Sequence, residues 1–295
     1  MVANERIDAR YGMRLRFKAE NLQHVGAFKA RGAANAVLAL PPDLAALGVV
    51  THSSGNHAAA LARAARLRNI PAHIVMPRNS AQNKIDAVRS YGIEPVFCQP
   101  TAESRQAEAD RIRAETGATL VHPYDDPAVM AGQGTVGLEL LEQVDDLQDV
   151  IVPVGGGGLA SGVLVAIKSL RPEVRVYAAE PALADDAYRS LQSGRIEMPV
   201  RYDTVADGLR TPLGQHTFPV LQSLVDDILR VPEERILPAV CKLLSEVKLL
   251  AEPSGAVALA AALENQPLFA GRTVAVVVSG GNIDLDRLPA VISSD

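Results

Sequence analysis

Short apolar runs rich in β-branched residues alternate along the chain with longer alanine-rich runs whose apolar positions recur at helical spacing. The runs at 13–18, 48–51, 72–76 and 94–97 predict strands. Those at 30–40, 56–68, 81–91 and 102–115 predict the helices that follow them, and Gly92 marks the stop of the third. A second series begins near Asp149. Val150-Ile151-Val152-Pro153-Val154 is apolar throughout, as a strand covered on both faces must be. A helix over 159–170 and a strand over 174–179 come next. Residues 181–214 show no period and read as irregular. Helices are predicted over 233–249 and 254–264, and a last strand over 273–278. Strand–helix repetition of this kind implies mainly parallel sheets covered by helices, and the two series predict two α/β domains.

Composition narrows the function classes. A chain of 295 residues can bury a sizeable core, and 48% hydrophobic with 21% charged residues is ordinary for a globular protein. No apolar run approaches the roughly 18 residues of a membrane span, and the charged first ten residues lack a signal core. A cytoplasmic protein without membrane partners is therefore expected. A net charge of -5, no basic clusters and only 4% aromatics argue against nucleic acid as a partner. Cys98 and Cys241 fit neither a metal spacing nor a disulfide framework and read as small buried hydrophobes.

Candidate chemistry concentrates in four turns. Lys29, in Gly26-Ala27-Phe28-Lys29-Ala30-Arg31-Gly32, stands at the mouth of the first alanine-rich helix. An unperturbed lysine stays charged up to about pH 10.4, so nucleophilic or basic work needs burial or a nearby cation such as Arg31. Gly155-Gly156-Gly157-Gly158 lies between an apolar strand and a helix, where free N–H groups and the helix start suit a phosphate. The same loop fits a dinucleotide fingerprint, Gly155-x-Gly157-x-x-Ala160, with Glu180 placed to hold a ribose; that reading leaves Lys29 and the other loops idle. Ser53-Ser54-Gly55-Asn56-His57 opens a helix and reads as a serine or asparagine cap, with N–H groups and hydroxyls that also suit a carboxylate. Ser279-Gly280-Gly281-Asn282 ends the last strand. In Glu180-Pro181-Ala182-Leu183-Ala184-Asp185-Asp186, acids and a backbone carbonyl suit a hard cation. Glu252, with Ser254 as cap, reads as a helix start, and His122 and Tyr124 carry no assigned chemistry.

The Lys29 stretch and the three loops resemble, in order and spacing over about 15–288, the fold-type II pyridoxal-phosphate enzymes. The nearest likeness is to the serine/threonine dehydratase and serine racemase group, which includes the threo-3-hydroxyaspartate ammonia-lyases. The resemblance implies a fold like the tryptophan synthase β chain, with a large cofactor-binding domain over 1–47 plus 126–295 and a small inserted domain over 48–125. It implies pyridoxal 5'-phosphate (PLP) carried by Lys29, with Phe28, Asn56, Gly155, Gly156, Gly157, Gly158 and Ser279 around it. Ser53, Ser54, Gly55 and His57 would hold the substrate carboxylate and Arg105 an acidic substrate group; Ser54 would face Cα opposite Lys29. Glu180, the carbonyl of Ala184 and Asp186 would bind Mg²⁺, Mn²⁺ or Ca²⁺. The implied reaction converts a small β-hydroxy amino acid (threonine, serine or 3-hydroxyaspartate) to a 2-oxo acid and ammonia, with racemisation as a second outcome, in a homodimer. The alternative is a degraded paralogue that binds ligand without turnover. Ala27 stands where a serine is frequent, Ala58-Ala59 replaces a Gly-Gln pair used for nucleotide binding, and only 28 residues precede Lys29.

Overall fold

Among the residues described by the computed structural model, 1–53 and 55–293, nine strands form two all-parallel sheets. They are β1 (Arg14–Ala19), β2 (Val49–His52), β3 (Ala72–Pro77), β4 (Val96–Cys98), β5 (Thr119–Leu120), β6 (Asp149–Pro153), β7 (Arg175–Pro181), β8 (Asp227–Val231) and β9 (Thr273–Val278). The chain divides into one unit of residues 1–28 with 133–295 and another of residues 29–132.

The first unit holds the sheet β1-β9-β6-β7-β8. Every residue of β6 and β9 is buried, which is why both read as unbroken apolar runs. Successive side chains point to opposite faces. Ile151 and Val276 join Leu15, Phe17 and the helix Pro253–Glu264 on one side. Val150, Val152 and Val277 join Val163, Leu164 and Ile167 of the helix Gly158–Leu170 on the other. The helix Pro253–Glu264 is nearly all small residues and buries ten of its twelve, so it lies flat against the sheet. Asp149, at the head of β6, is fully buried between Arg175 at 2.7 Å and Arg272.

The second unit holds the sheet β4-β3-β2-β5. The helix Asn56–Arg68 buries eight residues, six of them alanines, and the helix Lys29–Leu38 packs along it. Arg68 clamps the pair through the carbonyls of Val37 and Leu40. Because of this packing, 29–47 groups with the second unit. The same holds for 126–132, where a Cβ on Gly132 would lie 2.6 Å from the Gly32 Cα.

Elements that local pattern leaves out include the helices Pro127–Gln143, Asp186–Ser193 and Thr217–Leu224 and the edge strand β8. The segment expected to be irregular over 181–214 thus contains a helix of eight residues. The helix expected over 233–249 runs from Ile236 to Lys242 and then widens into a π-turn, Leu243–Val247, closed by Lys248 at φ 65°. Both cysteines are free and buried. No helix among the described residues is long and apolar enough to cross a membrane.

Candidate active site

In the first unit the glycine loop joins β6 to the helix Gly158–Leu170. Gly157 sits at φ 88°, and a Cβ there would meet the Thr217 Cβ at 2.8 Å and the Leu213 Cδ2 at 2.9 Å. A Cβ on Gly155 would lie 2.9 Å from the Leu209 Cα. Close approach of 208–217 therefore dictates two of the four glycines. The Thr217 hydroxyl braces the loop by donating to the Gly156 carbonyl at 2.8 Å. Among the described residues, the N–H groups of 155, 156 and 157 reach no backbone carbonyl. They remain available at a helix start, where the dipole adds about half a positive charge, and this fits a phosphate.

The end of β9 is zipped to the segment before the lysine. Phe28 N–H donates to the Ser279 carbonyl at 3.0 Å, Gly281 N–H to the Gly26 carbonyl at 2.9 Å, and the Asn282 side chain to the Val25 carbonyl at 2.7 Å. Val25 adopts a left-handed backbone, φ 56°, rare for a β-branched residue and found where surroundings over-determine the chain. Ser279 is buried, and the Phe28 ring packs into the core beneath. Glu252 N–H donates to the Gly280 carbonyl at 3.0 Å, so the helix that starts at Pro253 abuts the same turn. Ser254 does not cap that helix: its Oγ accepts from Gly208 N–H at 2.9 Å.

In the second unit Lys29 is the first residue of its helix, and its Nζ donates to the Pro123 carbonyl at 2.5 Å. Three imidazoles gather in the same unit. His57 is buried and donates Nε2–H to the Val121 carbonyl at 3.1 Å. Burial first, and the Lys29 charge second, bring its pKa down to about 3. His122 Nδ1 accepts from Asp125 N–H at 2.9 Å. Burial and His52 hold its pKa at about 4. His52 is lowered by burial and by Arg105. All three are neutral imidazoles near pH 7. Sequence reasoning passed over His52 and His122, which carry no motif.

The loop after β2 opens the helix Asn56–Arg68, but its cap is Gly55, with no side-chain cap bond, and the Ser53 Oγ accepts instead from Gly55 N–H at 3.3 Å. The expected serine or asparagine cap is thus absent among the described residues, and Ser54 lies outside them. Arg105, half-buried on the helix Ala102–Thr116, meets no carboxylate among the described residues.

The acidic loop follows β7 in the first unit. Both Glu180 oxygens accept backbone N–H groups, from Ala187 at 3.1 Å and Tyr188 at 2.8 Å. Glu180 and Asp186 are each 1% exposed. Burial pushes the Glu180 carboxyl well up, and burial brings Asp186 to about 7. Among the described residues no three His, Cys, Asp or Glu side chains converge as a metal site. A cation here would need the two carboxylates completed by the Ala184 carbonyl and water.

Parallel α/β sheets, a lysine at a helix mouth and a glycine loop at a helix start define a cofactor-dependent enzyme. A model of the family described as pyridoxal-phosphate dependent enzyme matches residues 1–280, and the chain belongs to that family. This removes the dinucleotide reading of the glycine loop. The chain is 49% identical over 278 residues to the beta-hydroxyaspartate dehydratase of Paracoccus denitrificans (strain Pd 1222), covering 94% of this chain and 88% of that one. It is 45% identical to the serine racemase of Homo sapiens over 93% of this chain and 83% of that one. Maize serine racemase superposes with a TM-score of 0.94 at 45% identity, over 99% and 90% of the two chains. The serine racemase of Dictyostelium discoideum gives 0.92 at 42%, over 96% and 92%. A solved threonine deaminase gives 0.91 at 44%, over 96% and 92%.

Proposed function

We propose that this protein is a PLP-dependent ammonia-lyase that converts a small β-hydroxy amino acid, foremost L-threo-3-hydroxyaspartate, to a 2-oxo acid and ammonia. The observation that carries the reading is Arg105: a half-buried guanidinium without a carboxylate partner among the described residues, in the same unit as Lys29 and the loop 53–57. Threonine and serine bring no second carboxylate to such a group; 3-hydroxyaspartate does. The 49% identity to a beta-hydroxyaspartate dehydratase supports the same preference.

Lys29 would hold PLP through its ε-amine, residues 155–158 its phosphate, and Ser279 and Asn56 its ring, with Phe28 beside it. When bound, PLP supplies an electron sink for the pair left at the substrate Cα. The N–H groups and hydroxyls of Ser53, Gly55 and His57's helix turn hold the α-carboxylate, and Lys29 takes the Cα proton on one face. Ser54 would serve the other face and so give racemisation as the minor outcome. Glu180, the Ala184 carbonyl and Asp186 would bind Mg²⁺, Mn²⁺ or Ca²⁺; two buried carboxyls with raised pKa values are groups that a cation would ionise. We extend the proposal to a cytoplasmic location, in keeping with two free buried cysteines, and to a homodimer.

The test is 2-oxo acid release from L-threo-3-hydroxyaspartate, L-serine and L-threonine, for the wild type and Arg105→Ala. Loss of a charge-assisted hydrogen bond, worth about 1.5–3 kcal/mol, should lower kcat/KM for hydroxyaspartate about 10–100-fold and serine by less than about threefold. Absence of 2-oxo acid from all three substrates would overturn the reading.

A further inference from the structure

Six buried polar side-chain atoms lack a hydrogen-bond partner among the described residues, and three of them lie near one another in the sequence. Thr51 Oγ1, His52 Nε2 and His57 Nδ1 are all unpaired among the described residues and fall within seven positions of each other. A buried polar atom left unpaired is costly, and native proteins keep few of them. The His52 ring meets the His122 ring edge-to-face, with centroids 5.7 Å apart, and His122 meets Tyr124 likewise at 4.7 Å.

His122 Nδ1 accepts backbone N–H groups, from Asp125 at 2.9 Å and Tyr124 at 3.4 Å, so the neutral ring carries its proton on Nε2. His52 Nε2 is buried and has no partner among the described residues. Lys29 Nζ donates to the Pro123 carbonyl, next to His122, and the helix that carries Arg105 packs on β2, which ends at His52, so the pair neighbours both charges.

We propose that His52 and His122 are specificity-determining residues that together recognise the β-hydroxyl of the substrate. The inference rests on the dehydratase reading and adds to it. A substrate with Cα at Lys29 and its distal carboxylate at Arg105 has its β-carbon between them. A hydroxyl both donates and accepts, so it satisfies His122 Nε2–H together with His52 Nε2 in either tautomer; a halide or a methyl group cannot. A site built to pair a hydroxyl discriminates strongly against analogues that lack it, because its own groups are otherwise left unpaired. Neutral imidazoles suit binding and not proton delivery: donation from Nε2 would leave an imidazolate.

The experiment compares, on PLP-loaded protein, the hydroxy substrate that the wild type turns over fastest with the chloro analogue of the same carbon skeleton. Chloride leaves without a hydrogen bond of this kind. His52→Phe and His122→Phe should each lower kcat/KM for the hydroxy substrate about 10–100-fold and for the chloro analogue by no more than about threefold. His52→Gln and His122→Gln, whose amides reach a similar point, should recover part of the loss. Without substrate, His52→Phe should melt no lower than the wild type, since it removes an unpaired buried nitrogen. Equal losses on both substrates, or no loss on either, would overturn the proposal while leaving the dehydratase reading standing. A wild type that eliminates from the chloro analogue but from no hydroxy amino acid would overturn both.

Discussion

Lys29 illustrates how little a single side chain does alone. Its Nζ is held by the Pro123 carbonyl, and the buried His57 ring senses its charge. The residue just before it, Phe28, is pinned to Ser279, and Val25 accepts a strained backbone to complete that zipper. Such strain is kept where the surroundings over-determine a functional loop. Borohydride reduction of the yellow protein followed by peptide mapping should find the pyridoxyl group on Lys29. Lys29→Ala should lower turnover by at least the factor of about 10²–10⁴ typical of an acid–base group. A pyridoxyl group on any other lysine would refute the assignment.

At the scale of elements, the glycine loop shows why residue type is dictated twice, by backbone and by neighbours. Gly12 and Gly157 both have positive φ, 66° and 88°, but a Cβ at Gly12 meets nothing within 4 Å whereas at Gly157 it strikes Thr217 and Leu213. Gly12→Ala should therefore cost only backbone strain, about 1 kcal/mol, while Gly157→Ala should cost about 2–4 kcal/mol from strain plus overpacking. Urea denaturation of cofactor-free protein measures both. Gly157→Ala should also weaken PLP binding, because the helix start it would push away from Thr217 carries the N–H groups proposed to hold the phosphate. Equal destabilisation by the two substitutions would show that the loop yields to its neighbours.

For the molecule as a whole, two groups of buried titratable side chains set opposite pH dependences. Asp186, raised from 3.8 to about 7, binds its proton more tightly folded than unfolded, and Glu180 shifts the same way. Their contribution to stability is full below about pH 4 and is lost as pH rises toward 7. His57 and His122, lowered from 6.5 to about 3 and about 4, act on the acid side: stability falls as pH drops below 6.5. In chelator, the melting temperature should therefore decline from pH 6 toward pH 8, where the imidazoles no longer titrate and the acids do; below pH 6.5 the two groups oppose each other. Saturating Mg²⁺ or Ca²⁺, which favours the ionised acids, should remove the alkaline decline, and Asp186→Asn should lessen the decline and remove the metal response. A chelated protein that is as stable at pH 8 as at pH 6 would count against the cation site.

Sequence alone determined the elements whose signal is local. The strand at 273–278 and the helix at 56–68 fall on the expected residues, because an unbroken apolar run and an alanine-rich period need no distant partner to be read. The four motifs likewise pointed to a PLP enzyme, the family to which the chain belongs. Tertiary structure decided the rest. The helix Pro127–Gln143 contains Gly132, Gly134 and Gly137, which look like helix breakers and are close-approach points, with a Cβ at Gly134 only 3.0 Å from the Gly162 carbonyl oxygen. The edge strand β8, Asp227–Val231, leaves its first and fourth residues exposed, so it has neither a strict alternation nor an apolar run. Ser254 looks like a cap but serves Gly208, 46 positions away. His52 and His122 are 70 residues apart and meet edge-to-face only because the loop after β5 returns beside the end of β2. Local periodicity records what a segment buries, and long-range hydrogen bonds and close backbone approaches leave no period to read.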